Sequence, residues 1–464
     1  MLEIGVFHNG ATDLPTKEVD YDGGVIVNDG TLTDTHQAAQ RTIVNQVRQG
    51  VLADKLGFDY YFQTEHHFQP EGAELSPNPL LSQTAVAART KRIRLAQAAN
   101  IITWWHPLRV AEQAAMLDVL SGGRLDFGIG RGYQPRENET FGWPFGSTIQ
   151  DQERNRAYYE EAYDAIIDAW THDSFSHHGE FLSLPPSYTR WGHKQTHAYF
   201  SQPGMGRTLE QVLKLGKPDM YSSGNPVLAT TTKLLEIPVY PQPLQKPYPQ
   251  IWEPLTSPRS IQWAAEKGIN GYFIVEPNSR LKQNIELYYS SAEQAGWPDR
   301  QERGRFKYGW DAEKRRGVVT CRYIHVVEKG LGDMDRAARG MELQWHYYGP
   351  FGFAAVLAEA DEPFYDLNMK VTADLLREKK VAIHGSKQYV IDTIMETKEV
   401  CGYEDFMFNA WFELGGFAGD EVEAQMQFFA EEIMPVLRRE CGGSPEKPDV
   451  APDLDPAPRP AVSA

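Results

Sequence analysis

Residues His106–Gly132 read HPLRVAEQAAMLDVLSGGRLDFGIGRG. Proline is tolerated in the first turn of a helix, so Pro107 can open one, and the helical pattern runs to Leu120. Gly122-Gly123 ends it, because glycine accepts the left-handed conformation of a helix C-terminus without a Cβ penalty. Arg124–Ile129 then predicts a strand. The same alternation extends in both directions. Upstream lie strand Leu2–His8 with a helix from about Thr35 to Leu56, strand Tyr60–Thr64 with a helix opening at Ser76-Pro77-Asn78-Pro79, and strand Ile93–Asn100. Downstream lie helix Asp151–Trp170, strand Gln250–Glu253 with helix Ser257–Lys267, and strand Gly271–Val275 with helix Ser279–Ala295. Strand Val318–Val327 with helix Leu331–Tyr348 and strand Asp405–Trp411 with helix Asp420–Arg439 complete the series. Each right-handed crossover returns the chain parallel to the strand before it, so eight such units predict a parallel sheet. Eight is the number that a closed (β/α)8 TIM barrel requires; a doubly wound open sheet is the alternative.

The rhythm breaks twice. About 185–238 is rich in Ser, Thr, Gly and Pro where a short loop would suffice. About 349–387 is aromatic and acidic, and reads as a mobile loop before the last unit. Residues 1–440 therefore form one barrel with an insertion and a loop, and the Pro-rich tail 441–464 is expected to be disordered.

Composition narrows the function. Of 464 residues, 41% are apolar and 23% charged, which supports a packed core rather than general disorder. Lys+Arg 46 against Asp+Glu 63 leaves a net charge of −17, which argues against nucleic acid or an anionic membrane as partner. Three scattered cysteines offer neither a disulfide framework nor a zinc finger. Neither a signal peptide nor a run of about eighteen apolar residues is visible, so a cytoplasmic protein is expected.

Barrel active sites gather at the C-terminal ends of strands. After the second strand stand Glu65, His66 and His67. A metal reading is disfavoured, because neighbouring side chains at a strand end point to opposite sides. His66 is the candidate acid/base, since imidazole titrates near neutrality, and His67 reads as structural. Thr103, Trp104, Trp105 and His106 follow the third strand. Gly128-Ile129-Gly130-Arg131-Gly132-Tyr133 follows the fourth. Its glycines admit a close ligand approach while Arg131 pairs with phosphate, although the spacing is not the dinucleotide fingerprint. Arg156 is a companion cation, or else an i,i+4 partner of Glu160. Thr256, Ser257 and Ser260 open the next helix, either as caps or as an anion site. His177-His178 reads as a solvated pair at a helix end.

These residues sit in blocks that resemble one family. LGFDYYFQTEHHF (Leu56–Phe68), Asn78-Pro79, the His106–Gly132 block, SPRSIQWAAEKG (Ser257–Gly268) and EEIMPVLRR (Glu431–Arg439) are together similar to the bacterial luciferase-like flavin-dependent monooxygenases, which are (β/α)8 barrels. The resemblance implies FMN, bound as FMNH2, with Arg131, Arg156, Thr256, Ser257 and Ser260 around its phosphate. It implies a catalytic role for His66 and a cis peptide at Ala98-Ala99 beneath the flavin. Tyr133 is expected to hydrogen-bond flavin or substrate, and Glu65, Trp104 and Trp105 to shape the substrate pocket. The implied activity is insertion of one atom of O2 into a small organic substrate. With no nicotinamide motif in the chain, an NAD(P)H-dependent flavin reductase would supply FMNH2, and a homodimer is expected. A deazaflavin-dependent hydride-transfer enzyme on the same fold is the alternative, and a non-catalytic flavin-binding protein the more distant one. The residue at Gly130 departs from luciferase itself, which carries a reactive cysteine there, so light emission is not implied.

Overall fold

Strand β1 (Leu2–His8) is buried along its whole length, as a parallel strand must be when helices cover one face and neighbouring strands close over the other. In the computed structural model, which describes residues 2–215, 232–297, 317–402, 406–443 and 448–450, β1 pairs in parallel with β2 (Tyr60–Gln63) and β8 (Phe406–Trp411). From β2 the pairing continues through β3 (Arg94–Gln97) to β4 (Leu125–Gly130), then β5 (Ile251–Pro254), β6 (Asn270–Phe273) and β7 (Val318–Val326), and back to β8. The ring closes. This is the eight-stranded parallel barrel that the alternation predicted, not an open sheet.

Helices α1 (Leu32–Leu56), α2 (Pro79–Ala87), α3 (Pro107–Ser121), α4 (Gln152–Thr171), α5 (Pro258–Lys267), α6 (Asn278–Gln294), α7 (Met334–Tyr348) and α8 (Gly419–Phe428) follow their strands in order. Their ends obey local chemistry. Gly57, Gly122, Gly268 and Gly402 close helices in the left-handed conformation. Asn78 and Ser257 cap helices that carry proline in the first turn. The close packing of β3 against β4 requires Gly128, because a Cβ there would lie 1.7 Å from the Gln97 carbonyl oxygen.

Asp54 ties α1 to the edge of β3. Its carboxylate accepts the N–H groups of Arg92 at 3.0 Å and Ile93 at 2.7 Å. Asp54→Ala strands those donors, so an unfolding free energy lower by about 1–3 kcal/mol is expected from denaturant titration. A loss under about 0.5 kcal/mol, ordinary for a surface substitution, would show that the contact contributes nothing.

Four expectations need correction. The 349–387 stretch is not one loop. It contains helix Ala373–Glu378 and strand Ala382–Gly385, which pairs in parallel with the outer half of β7 and leads into helix Lys387–Cys401. The last helix reaches Arg439 as expected but is not regular α-helix throughout. It widens at Phe429–Ile433 before Met434–Glu440, where Pro435 cannot donate a helical hydrogen bond. His177-His178 is not at a helix end, and only His178 is solvated, His177 being partly buried. The pair forms a short antiparallel ladder with Ser183–Leu184, and His177 Nε2 lies 3.3 Å from Glu161. The third strand is shorter than Ile93–Asn100, because the chain turns at Ala98-Ala99 and re-pairs Asn100–Ile101 with the end of β4.

In the 185–238 insertion, helices Lys194–Phe200 and Leu209–Val212 precede strand Leu213–Leu215, which pairs with Thr232–Leu234. Residues 216–231 lie outside the described residues, as does most of the tail. Among the described residues, no helix is long and apolar enough to cross a membrane.

Candidate active site

A cavity of about 280 Å3 opens where the strands end at the C-terminal face of the barrel. Phe7 and Asn9 reach it from β1, Glu65 and His66 from β2, Ala98 and Ala99 from β3, Arg131 and Tyr133 from β4, and Thr256, Ser257 and Ser260 from β5. Ala98-Ala99 is a cis peptide. The barrel thus brings together residues separated by hundreds of positions, as this architecture does.

One end of the cavity is cationic. Arg131 Nη1 contacts only the amide oxygens of Asn155 at 3.2 Å and Gln152 at 3.5 Å. Among the described residues it has no carboxylate within 4 Å. Burial, and then the charge of Arg156, hold its guanidinium below the usual range. Arg156 Nη2 donates to Ser260 Oγ at 3.0 Å, and its other contact is Glu160 at 3.5 Å. Arg156 thus makes the i,i+4 pair and reaches Ser260, but it does not itself line the cavity. Ser257 caps α5, accepting from Ser260 N at 3.2 Å, while Thr256 is exposed at the rim. Two cations and the N-terminus of a ten-residue helix converge on one spot, which is how folded chains hold phosphate.

The other end is a charged cluster around His66. Its Nε2 lies 3.6 Å from Glu74 and its Nδ1 3.4 Å from Glu137. Burial alone would lower the imidazole, but Glu74 and then Glu137 more than offset this and raise it to about 9. His66 is thus an imidazolium at neutral pH rather than a group poised to titrate there. It can give a proton or hold negative charge; it is not a base. Glu74 also accepts from Asn9 Nδ2 at 2.9 Å, Gln134 Nε2 at 3.0 Å and the Tyr133 hydroxyl at 2.8 Å. Tyr133 has therefore committed its only proton to Glu74. It faces the cavity as an acceptor and as a ring against Phe351 and Phe353, not as a donor to a ligand.

His66 sets a pH dependence. Its folded value lies above the free value of 6.5, so the ion pairs stabilise fully below about pH 6.5 and their contribution is lost as pH rises through about 9. Thermal denaturation from pH 7 to pH 10 is expected to cost the native chain on the order of 3 kcal/mol more than His66→Gln. Parallel profiles would refute the imidazolium.

Glu65 is a brace. Its carboxylate accepts Ile101 N and Trp105 Nε1, both at 2.7 Å, and lies 3.3 Å from His67 Nε2. Trp104 and Trp105, expected in the substrate pocket, do not line this cavity. Trp104 donates to Asn138 Oδ1 at 3.0 Å and packs beside Ala99 and Ile101. The indole N–H groups found internal acceptors, which turned both rings away from the opening. Gly132 is likewise occupied by protein: with φ +74°, a Cβ would lie 2.7 Å from the Asn138 amide. Among the described residues, no cluster of three or more His, Cys, Asp or Glu is arranged for a metal ion.

Sequence reading missed Glu74, Glu137 and Glu253. Glu74 lies in a loop and Glu137 in a three-residue helix, both too short of pattern to show a period. Glu253 had a signal, a carboxylate within the short buried strand Ile251–Pro254, where an acid is seldom placed without a reason.

Residues 25–204 match the family model described as luciferase-like monooxygenase. Over that stretch the chain is similar to a luciferase-like monooxygenase domain. Over 83% of its length it is 25% identical to the oxygenase component of the flavin-dependent trigonelline monooxygenase of Acinetobacter baylyi, covering 87% of that protein. Two solved structures share the luciferase-like fold. Monooxygenase RslO1 of Streptomyces bottropensis superposes with a TM-score of 0.59 at 20% identity, over 94% of this chain and 99% of that one. The oxygenating constituent of 3,6-diketocamphane monooxygenase of Pseudomonas putida, in complex with FMN, gives 0.57 at 19% identity, over 86% and 93%.

Proposed function

We propose that this chain is the oxygenase component of a two-component monooxygenase, which binds reduced FMN and inserts one oxygen atom of O2 into a small organic substrate. The observation that carries the reading is the pairing of opposite ends in one cavity: Arg131 without a carboxylate at one, the His66 imidazolium at the other. The cavity fits the cofactor in kind, with an anion cradle, a largely apolar middle and a proton source.

Reduced flavin supplies the two electrons that activate O2, so that one oxygen atom enters the substrate and the other leaves as water. The chain does the rest. Arg131, Arg156, Thr256, Ser257 and Ser260 hold the phosphate. The wall at Ala98 and Ala99 lies between the two ends. His66 donates a proton where negative charge develops, and Glu74 and Glu137 keep it charged for that task. Tyr133, Phe351 and Phe353 close an aromatic cover that excludes water. A separate NAD(P)H-dependent reductase delivers the flavin, and the working assembly is a homodimer in the cytoplasm.

In this reading residues 1–440 act as one barrel, the 185–238 insertion shapes the substrate entrance, and the cover moves. Phe351 and Phe353 lie in the cavity wall, whereas Arg280 anchors the following stretch through the carbonyls of Ala358 and Glu359, both at 2.6 Å. Limited proteolysis is therefore expected to cut near 349–357 in the free chain, with FMN suppressing the cut. Cleavage indifferent to flavin would reject the moving cover.

The function is tested by supplying the chain with a flavin reductase, NADH, FMN and air, and offering small organic molecules beginning with trigonelline. Oxygen uptake with gain of one oxygen atom by a candidate supports it. Anaerobic turnover with a reduced deazaflavin, and no effect on the oxidation of reduced FMN, would overturn it.

A further inference from the structure

Glu253 occupies the cationic end of the cavity, yet it ion-pairs with neither arginine there. It is the third residue of β5, opposite Gly271 of β6, and is 4% exposed. It lines the cavity, and its Oε2 has no hydrogen-bond partner among the described residues. The groups that face it are Arg131 from the β4 end, and Arg156, Tyr159 and Glu160 from α4. Arg156 is engaged with Glu160 and Ser260, while Arg259 of α5 is drawn to Glu153 at 2.7 Å on the outer surface. A carboxylate buried here would be expected to bind the bare Arg131. Instead Arg131 uses the neutral oxygens of Asn155 and Gln152. The geometry is that of a neutral acid, which leaves the guanidinium open to an incoming anion.

We propose that Glu253 gates the charge of this end of the cavity: as the neutral acid it offers a hydrogen-bond donor to the phosphate of the bound flavin, and as the carboxylate it repels that phosphate. The inference rests on the phosphate reading above. Burial first of all, only partly opposed by Arg131, raises the Glu253 carboxyl to about 8, so the neutral form prevails at pH 7. A phosphate monoester has its second ionisation near 6 and is doubly charged throughout the range that matters. Binding a dianion beside Glu253 strengthens its hold on the proton, so a proton is taken up as the ligand binds. By linkage, affinity then falls as pH rises above about 8, by up to tenfold per unit. A flavin without phosphate lacks this coupling. His66 titrates in the same range but lies at the far end and acts alike on both flavins.

The test is anaerobic titration of the native chain and Glu253→Gln with reduced FMN and reduced riboflavin at pH 7, 8 and 9. For the native chain, reduced FMN is expected to bind at least fivefold more weakly at pH 9 than at pH 7, with riboflavin unchanged relative to it. Glu253→Gln should bind FMN with a flat profile, and more tightly than the native chain at pH 9. A flat native profile, or the native slope retained in Glu253→Gln, overturns the proposal. Should the variant not fold, calorimetry of the native chain in two buffers of different ionisation enthalpy decides. Net proton uptake on binding FMN but not riboflavin at pH 9 supports the gate; equal uptake overturns it. If FMN binds no better than riboflavin at pH 7, the phosphate reading itself fails, which is a different result from a pH-independent preference for FMN.

Discussion

His66→Ala is expected to keep reduced-flavin binding near the native value and to lose product formation by about 10²–10⁴-fold, the range that a positioned proton donor supplies. Electrons from the flavin should then appear as hydrogen peroxide, because oxygen is still reduced but no longer inserted. The size of the effect follows from the surroundings. Glu74 and Glu137 hold the imidazole protonated to about pH 9, so the native enzyme has its proton in place across the neutral range. Activity limited by this group should decline only as pH passes about 9. His66→Gln, which keeps a donor without a transferable proton, should be as uncoupled as the alanine variant. Assays of product, oxygen and peroxide together check this. Wild-type coupling in either variant would make His66 structural.

Arg131→Ala is expected to weaken reduced FMN about ten- to a hundredfold, because a charged hydrogen bond to a buried anion contributes on the order of 1.5–3 kcal/mol. Loss of the bare guanidinium removes charge that no neighbour replaces: Arg156 already serves Ser260 and Glu160. Reduced riboflavin, lacking the phosphate, should bind both proteins alike. Arg131→Lys should recover only part of the loss, since an ammonium cannot form the planar two-point contact. Equal FMN dissociation constants for the native and alanine proteins would remove Arg131 from the phosphate site.

The barrel was legible because each helix end carries its own punctuation. Pro107 and Gly122 bracket one helix, Ser257 and Gly268 another, and both brackets stand where the structure puts them. Strand Ala382–Gly385 escaped because four residues between Lys379-Lys380 and a helix cap are too short to show a period. At the site, residues directly after strands were found by position, because a barrel exposes them on one rim. Their protonation and hydrogen bonds were not legible. His66 read as a neutral-pH titrant, yet Glu74 and Glu137, eight and seventy-one residues further on, change its charge state. Tyr133 read as a hydrogen-bond partner of the ligand, but not as one whose proton is already held by Glu74. Trp104 and Trp105 read as pocket walls, yet Asn138 and Glu65 accept their N–H groups. Such partners come from the connections between strands and main helices, whose folding depends on the whole barrel, so no local pattern announces them.

The cavity is proposed to hold a reduced flavin and to direct its reaction with oxygen. Rapid mixing of the anaerobic complex of the chain and reduced FMN with oxygenated buffer, followed by absorbance, tests it most directly. Flavin oxidation is expected to proceed through a spectral phase absent from free reduced FMN, and that phase to shorten in His66→Ala. An absorbance trace identical to that of free reduced FMN, at protein concentrations that bind all the flavin, would contradict it.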